Sequence, residues 1–266
     1  MQTRTVQLTV CLWLFGACTG NALPESIWPP ADFELVVEER SFGDEDLGVR
    51  QFRAWADGTV SFATADAAVT DAETGTALPL FDRVAVYRLV PTSIRALARR
   101  IHGCGILELD TVQGERNVQD GPRVTLTWRA FGRERVITAR GRVHGAMADV
   151  LAIVAAHLPE GERFELQQAS GRPVVPVLRG VPAPRRDPAG ALRAHLDLLA
   201  DRPAAQHLLL DAFALACALP RRSVAEELLA RWLEIDAAVR RQQQMFPELE
   251  PGTSAEALER LLPSAR

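Results

Sequence analysis

The chain has 266 residues, 47% of them apolar, and a formal net charge of −4 at neutral pH. This length and apolar content are enough for one large core or two small ones. All 30 basic residues are arginines, and they are dispersed among 34 acidic residues. The sequence therefore lacks the clustered basic face that is typical of nucleic-acid-binding proteins, and we expect no nucleic-acid partner.

The first 22 residues have the features of an export signal. Arg4 is followed by an uncharged, mostly apolar run from Leu8 to Ala17. This run has ten residues, whereas a membrane-spanning helix needs about 20. A cleaved signal peptide therefore fits the run better than a permanent membrane span. We predict a signal peptide over 1–22 and a short tether over 23–32.

Two processing sites compete at the end of this signal. Phe15–Cys18 (FGAC) resembles the lipobox of bacterial exported lipoproteins, although Phe15 stands where that pattern usually has leucine. The resemblance implies cleavage before Cys18, lipid on its sulfur, and attachment to a membrane. In a Gram-negative cell the protein would then lie in the periplasm or at the outer membrane. In a cell that is not Gram-negative it would be secreted. Gly20–Ala22 (GNA) offers ordinary signal peptidase cleavage before Leu23 instead.

Residues 33–168 predict an α+β domain with a mainly antiparallel sheet. Alternating apolar residues indicate strands at 33–39, on both sides of Asp57-Gly58 within 52–62, at 83–90, and on both sides of Gly132 within 124–139. Asp57-Gly58 predicts a two-residue turn in which both residues have positive φ. Residues 113–122 are expected to be a loop, and Phe164–Leu166 is an optional edge strand.

Two amphipathic helices are predicted in the same domain. The first begins at Pro91, has an apolar stripe at i, i+3, i+4 and i+7, and ends at Gly103, which is expected to adopt the left-handed conformation. The second includes Met147 to Leu158. Two such helices can cover one face of the sheet and form a two-layer sandwich.

The remainder of the chain predicts a small all-helical subdomain. Residues 169–188 contain five prolines and are interpreted as a linker, and 189–266 form the subdomain. Its helices are expected to begin at Asp187-Pro188, at Pro203, and at the capping boxes Ser223–Glu226 and Thr253–Glu256. This subdomain would pack on itself or on the sheet.

Only two cysteines, Cys104 and Cys217, follow the signal. An oxidising compartment would allow them to form a disulfide. Cys217, however, lies in an apolar run, where buried cysteine behaves as a small hydrophobic residue. We favour two separate thiols, although spacing alone does not decide the pairing.

His102 and Cys104 are the one pair of reactive side chains that lie close together in sequence. A zinc site needs three or four ligands, and no second His/Cys pair accompanies them, so neither a metal nor another cofactor is expected. Cys104 as a nucleophile would need a base and an orienting group. An exported hydrolase with dispersed residues near His102 and Cys104 remains an alternative hypothesis.

The preferred hypothesis is a non-enzymatic module of the cell envelope, anchored by lipid at Cys18. This hypothesis rests on a sequence that specifies a hydrophobic core well but shows no complete set of catalytic residues. An envelope protein or a glycan would be its partner. Trp55, Tyr87 and Trp128 could contact such a partner if they were exposed, although tryptophan in strands is more often part of a core.

Overall fold

The structure is a computed structural model, and it describes residues 28–42, 47–71, 75, 77–114, 121–245 and 255–263. The predicted signal peptide, Cys18 and residues 23–27 of the tether lie outside these ranges. The strands are β1 (Glu34–Phe42), β2 (Leu47–Trp55), β3 (Thr59–Ala65), β4 (Ala68–Thr70), β5 (Ala77–Pro79), β6 (Arg83–Arg88), β7 (Val112–Gly114), β8 (Arg123–Ala130) and β9 (Arg133–Arg140). The helices are α1 (Pro91–Gly103), α2 (Gly145–Ala155), α3 (Glu165–Ala169), α4 (Pro188–Asp201), α5 (Gln206–Ala218), α6 (Arg222–Met245) and α7 (Ala255–Arg260).

Seven of the strands form one sheet in the order β6-β3-β2-β1-β8-β9-β7. Every neighbouring pair is antiparallel except β7 and β9, which are parallel. The mainly antiparallel α+β fold predicted from the sequence is therefore confirmed. Because successive side chains point to opposite faces of a strand, this sheet presents two chemically different faces.

The first face is apolar, and α1 and α2 cover it. Every second residue of β1 and β8 is buried there against the stripe of α1 that the sequence predicts. The fully buried residues include Leu35, Val37, Leu126, Ile94, Leu97, Ala98 and Ile101. This layer accounts for the two-layer sandwich expected from the sequence.

Helices α4 to α6 form a third layer on the other face. Their apolar cluster, built around Phe213 and Trp232, also includes Trp55 of β2 and packs against Val84 of β6. The β4–β5 hairpin continues the same cover through Leu78. These elements lie over β2, β3 and β6, so the helical subdomain packs on the sheet and covers half of the second face.

The proline-rich segment 172–187 contains no helix or strand and carries the chain from the first layer to the third. Its backbone is fixed at two points. The Val177 amide donates to the Ala156 carbonyl oxygen at the end of α2, and the Asp187 amide donates to that of Asp82 before β6. The Asp187 side chain then accepts a hydrogen bond from the Gly190 amide, which confirms the predicted start of α4.

The two hairpin turns differ from the sequence prediction. Between β2 and β3, only Gly58 has a positive φ (84°), and the loop has three residues rather than two, so the expected paired-positive turn is wrong there. That geometry occurs between β8 and β9, where Phe131 (φ 56°) and Gly132 (φ 67°) connect the strands. The Asp32 carboxylate accepts hydrogen bonds from both of their amides, which stabilises the turn from outside the hairpin.

The optional strand at Phe164–Leu166 is also wrong, because the chain forms α3 there. The buried carboxylate of Glu39 accepts hydrogen bonds from the Glu165 and Leu166 amides at 2.9 and 2.8 Å. It thereby satisfies amides that the first turn of a helix leaves without partners. A side chain from β1 thus caps this helix, and local sequence does not reveal such a cap.

Smaller differences concern the ends of elements. The left-handed residue after α1 is Gly105 (φ 72°) rather than Gly103, which belongs to the helix. Residues 112–114 form β7, although 113–122 was expected to be a loop. Helix α5 begins three residues after Pro203, and α6 begins one residue before Ser223. The predicted cap at Thr253 lies outside the described residues.

Candidate functional site

The candidate site is the half of the second sheet face that no described helix covers. It consists of the outward side chains of β1, β8 and β9, which we call the open half-face. Strand pairing arranges them in rows across the three strands: Glu34, Arg129 and Glu134; Val36, Thr127 and Val136; Glu38, Thr125 and Thr138; and Arg40, Arg123 and Arg140. Helix α5 bounds this surface with His207, and a cavity of about 450 Å³ lies between them.

The first row, which we call the paired row, alternates in charge. Arg129 lies between Glu34 and Glu134 and donates to both carboxylates, at 2.8 and 3.0 Å. The indole Nε1 of Trp55 donates to Glu34 from the covered half at 2.9 Å. Opposite charges on neighbouring strands stabilise a sheet, so this end of the open half-face is already satisfied by its own contacts.

The two middle rows are mostly uncharged. Thr125 and Thr127 of β8 lie at the centre, and Val136 of β9 is 45% exposed. Glu38 is the one charged side chain among them, and it accepts hydrogen bonds from Gln51 and from Arg40. This part of the surface offers hydroxyl groups and methyl groups side by side.

The last row, which we call the arginine row, places Arg40, Arg123 and Arg140 directly opposite one another on three adjacent strands. Burial and the charges of Arg140 and Arg40 lower the pKa of the central Arg123. Arg40 forms an ion pair with Glu38 at 2.8 Å. Within the described chain, no carboxylate forms an ion pair with either of the other two arginines.

A buried charged network lies where the open half-face meets α5. Arg53 of β2 donates to the Asp211 carboxylate at 2.7 Å, and the Nε2 atom of His195 lies 3.6 Å from the same oxygen. Burial alone would raise the pKa of Asp211, but the Arg53 charge and the nearby His195 lower it to about 2. Asp211 is therefore ionised at neutral pH and links the sheet to the helical layer.

His207 connects this network to the open half-face. Its Nε2 atom lies 3.7 Å from a carboxylate oxygen of Glu34 and has no hydrogen-bond partner among the described residues. Burial and the Arg53 charge lower the pKa of His207 to about 3. The imidazole is therefore neutral at physiological pH and provides an uncharged polar wall to the cavity.

His102 and Cys104 do not form a joint site. The His102 ring lies between the rings of Trp28 and Trp128, at centroid distances of 5.1 and 6.4 Å. Cys104 instead lines a separate depression that also contains Asp149. Burial and the Asp149 charge raise the pKa of the thiol, which disfavours the thiolate that a nucleophile requires.

The two thiols remain free in the structure, as favoured from the sequence. The three aromatic residues singled out above are packed rather than exposed. Trp128 is buried in the core, the Arg202 guanidinium lies 4.2 Å above the Trp55 ring, and the Tyr87 hydroxyl donates to a backbone carbonyl. Direct stacking of a partner on these rings is not supported.

Sequence reasoning identified the alternation of β8 but missed the rows. The alternation of apolar residues within 124–139 implies that Thr125, Thr127 and Arg129 share one face of a strand, and the structure confirms this. Their neighbours on β1 and β9 depend on strand register, which is not readable from one sequence without knowing which strands pair. The sequence signal that was available was β8 itself, whose second face carries polar side chains throughout.

No protein-family model matches the sequence, and a search of curated proteins gave no match. In the described part of the chain, no group of three or more histidine, cysteine, aspartate or glutamate residues could hold a metal ion. Within the same residues, no helix is both long enough and apolar enough to cross a membrane.

Proposed function

We propose that this chain is an exported protein of the cell envelope that binds a ligand on the open half-face and is anchored to a membrane by lipid at Cys18. The observation that carries the binding function is the open half-face itself. Strands β1 and β8, in the middle of the sheet, present polar side chains to a cavity of about 450 Å³ that His207 of α5 also lines, beside a helical layer that covers the rest of the face. Concave sites with a few converging polar groups are the usual form of ligand sites.

The chemistry of the cavity favours binding over catalysis. Glu34 is held by Arg129 and Trp55, Glu38 is held by Gln51 and Arg40, and His207 is neutral. The hydroxyl groups that line this cavity belong to Thr125 and Thr127, and His207, with its pKa lowered to about 3, is a weak base for activating either of them. Side chains already fixed by their neighbours are suited to orienting a polar partner, an envelope protein or a glycan.

Site-specific photo-crosslinking in the native envelope tests the binding function. A photoreactive amino acid at Thr127, in the middle of the open half-face, is compared with one at Val90, which is 59% exposed at the start of α1 in the opposite layer. A discrete adduct from position 127 that is absent from position 90 supports the proposal. The absence of any adduct, or the same adducts from both positions, overturns it.

Metabolic labelling with a palmitate analogue tests the anchor. Cys18→Ala should abolish labelling, whereas Cys11→Ala, a matched change inside the predicted signal peptide, should not. If the wild-type protein does not incorporate the label, or if Cys18→Ala labels equally well, lipid attachment at Cys18 is wrong. The binding function is tested separately and does not depend on this result.

A further inference from the structure

We propose that the arginine row is an oxyanion subsite of the open half-face and holds the phosphate or carboxylate group of the ligand. This inference rests on the proposed binding function and names the chemical class of its ligand. Its basis is the position of Arg40, Arg123 and Arg140 directly opposite one another on β1, β8 and β9.

The arrangement has an energetic cost in the free protein. Directly opposed residues of antiparallel strands have Cβ atoms about 5 Å apart, and like-charged side chains at opposed positions destabilise the sheet. Arg123 has a like charge on both sides. The paired row lies on the same three strands and alternates Glu34, Arg129 and Glu134, so the strands accommodate opposite charges at one end and only like charges at the other.

The contacts of the described residues leave donors of the row without partners. The Nε atom of Arg123 is buried without a hydrogen-bond partner among the described residues, and a buried donor without a partner destabilises the folded protein. Glu38 is the described carboxylate nearest in register, and it is shared between Arg40 and Gln51. Among the described residues, the three guanidinium groups therefore carry more positive charge and more donors than the neighbouring side chains satisfy.

An oxyanion suits these donors. A guanidinium group presents planar pairs of N–H donors that match the oxygens of phosphate or carboxylate. The hydroxyl groups of Thr125 and Thr138 lie one row away on the same face and can donate to the same group. Because the whole chain has a net charge of −4, its overall field does not attract anions, and binding must come from this local cluster.

The rest of the open half-face limits the shape of the ligand. Rows on one face of a strand are about 7 Å apart, so the arginine row and the paired row are separated by about 20 Å. The two rows between them carry threonine hydroxyls, valine methyl groups and one carboxylate, that of Glu38, which Gln51 and Arg40 already engage. We therefore expect a ligand with one anionic group followed by an extended, largely uncharged body, of which a sugar phosphate or a uronic acid is the smallest example.

Isothermal titration calorimetry on the purified exported protein at low ionic strength tests this inference. Glucose 6-phosphate and glucuronate serve as probes for the two anionic groups, and glucose is the neutral control. We expect saturable binding of at least one anion and none of glucose. Arg123→Gln and Arg140→Gln should each weaken that binding at least about tenfold.

Arg133→Gln is the matched control, because Arg133 is exposed at the other end of β9 and its substitution changes the net charge by the same amount. It should alter the affinity by less than about twofold. Arg123→Gln should also raise the unfolding temperature of the free protein, because it removes repulsion within the row. This second measurement distinguishes a lost subsite from a variant that fails to fold.

No saturable binding of either anion by the wild-type protein, or an equal loss in Arg133→Gln, overturns the inference. If crosslinking at Thr127 succeeds while both anions fail to bind, the arginine row is not the subsite but the proposed binding function stands. If crosslinking fails as well, both are wrong.

Discussion

The ion pair between Arg53 and Asp211 is the contact whose removal has the most definite expected effect. It joins β2 to α5 at 2.7 Å, and the Arg53 and Asp211 side chains are only 2% and 10% exposed. Asp211→Asn preserves the shape of the side chain and removes its charge. The Arg53 guanidinium would then remain buried without a counter-charge, which costs about 3 kcal/mol of the free energy of unfolding.

The same ion pair should make stability depend on pH. A pKa of about 2 in the folded chain, against an ordinary value of 3.8, corresponds to about 2 kcal/mol of stabilisation by the ionised Asp211 carboxylate at neutral pH. Because the folded pKa is the lower one, this stabilisation is complete above the ordinary pKa and is lost as the pH falls from about 4 towards 2. Roughly half of it, about 1 kcal/mol, should be lost at pH 3.

Urea unfolding followed by tryptophan fluorescence at pH 7, 5 and 3 measures both effects. Asp197→Asn is the matched control, because Asp197 is an exposed aspartate on α4, and it should change the free energy of unfolding by less than about 0.5 kcal/mol. A stabilising role for the ion pair is refuted if Asp211→Asn costs no more free energy of unfolding than this control. It is also refuted if the difference in free energy of unfolding between wild type and Asp211→Asn does not narrow between pH 5 and pH 3.

Two further predictions follow from local geometry. Gly114 and Gly171 both have positive φ, but of these two only Gly114 has a backbone carbonyl oxygen, that of Arg140, where an added Cβ would lie. Gly114→Ala should therefore reduce the free energy of unfolding by about 2 kcal/mol more than Gly171→Ala in the same urea assay. Equal reductions would contradict this prediction. Burial raises the pKa of the Cys217 thiol to about 12, and it also raises the pKa of the Cys104 thiol. Alkylation of Cys217 by iodoacetamide at pH 8, followed by mass spectrometry, should be at least about 100-fold slower in the native protein than in urea. Similar alkylation rates in the two conditions would contradict this prediction.

The elements that the sequence predicts correctly are those whose information is local. The stripe of Ile94, Leu97 and Ile101 specifies both the existence of α1 and the face that it buries. The alternation in β8 likewise separates a buried set from a polar set. In both cases the periodicity of apolar residues matches the geometry of the element, and packing does not override it.

The failures occur where a distant residue determines the local conformation. Glu39 caps α3 from β1, so Phe164–Leu166 becomes the start of a helix despite its strand-like alternation. Asp32 holds the Phe131-Gly132 turn in the geometry that was expected at Asp57-Gly58. At the latter turn, the Asp57 carboxylate instead accepts hydrogen bonds from Thr59. Short segments of this kind follow the contacts that they receive.

The candidate site was less predictable than the fold, because it depends on which strands are neighbours. Arg40, Arg123 and Arg140 are widely separated in sequence, and nothing local to each of them distinguishes it from the other arginines. They form a row only because β1 pairs with β8 and β8 pairs with β9 in a register that is set by the buried apolar residues. The chemistry of the open half-face is thus a consequence of how the opposite face packs.

The helical layer and the open half-face should also be energetically linked. Arg53, which holds Asp211 of α5, lies beside Val36 in the second row, and His207 from the same helix faces Glu34 in the paired row. Helix α5 therefore forms a wall of the cavity while it is fixed by a buried ion pair. A ligand that binds only this assembled arrangement stabilises it by an amount that grows with ligand concentration. Weakening the Arg53–Asp211 pair should consequently lower ligand affinity without changing any residue of the arginine row.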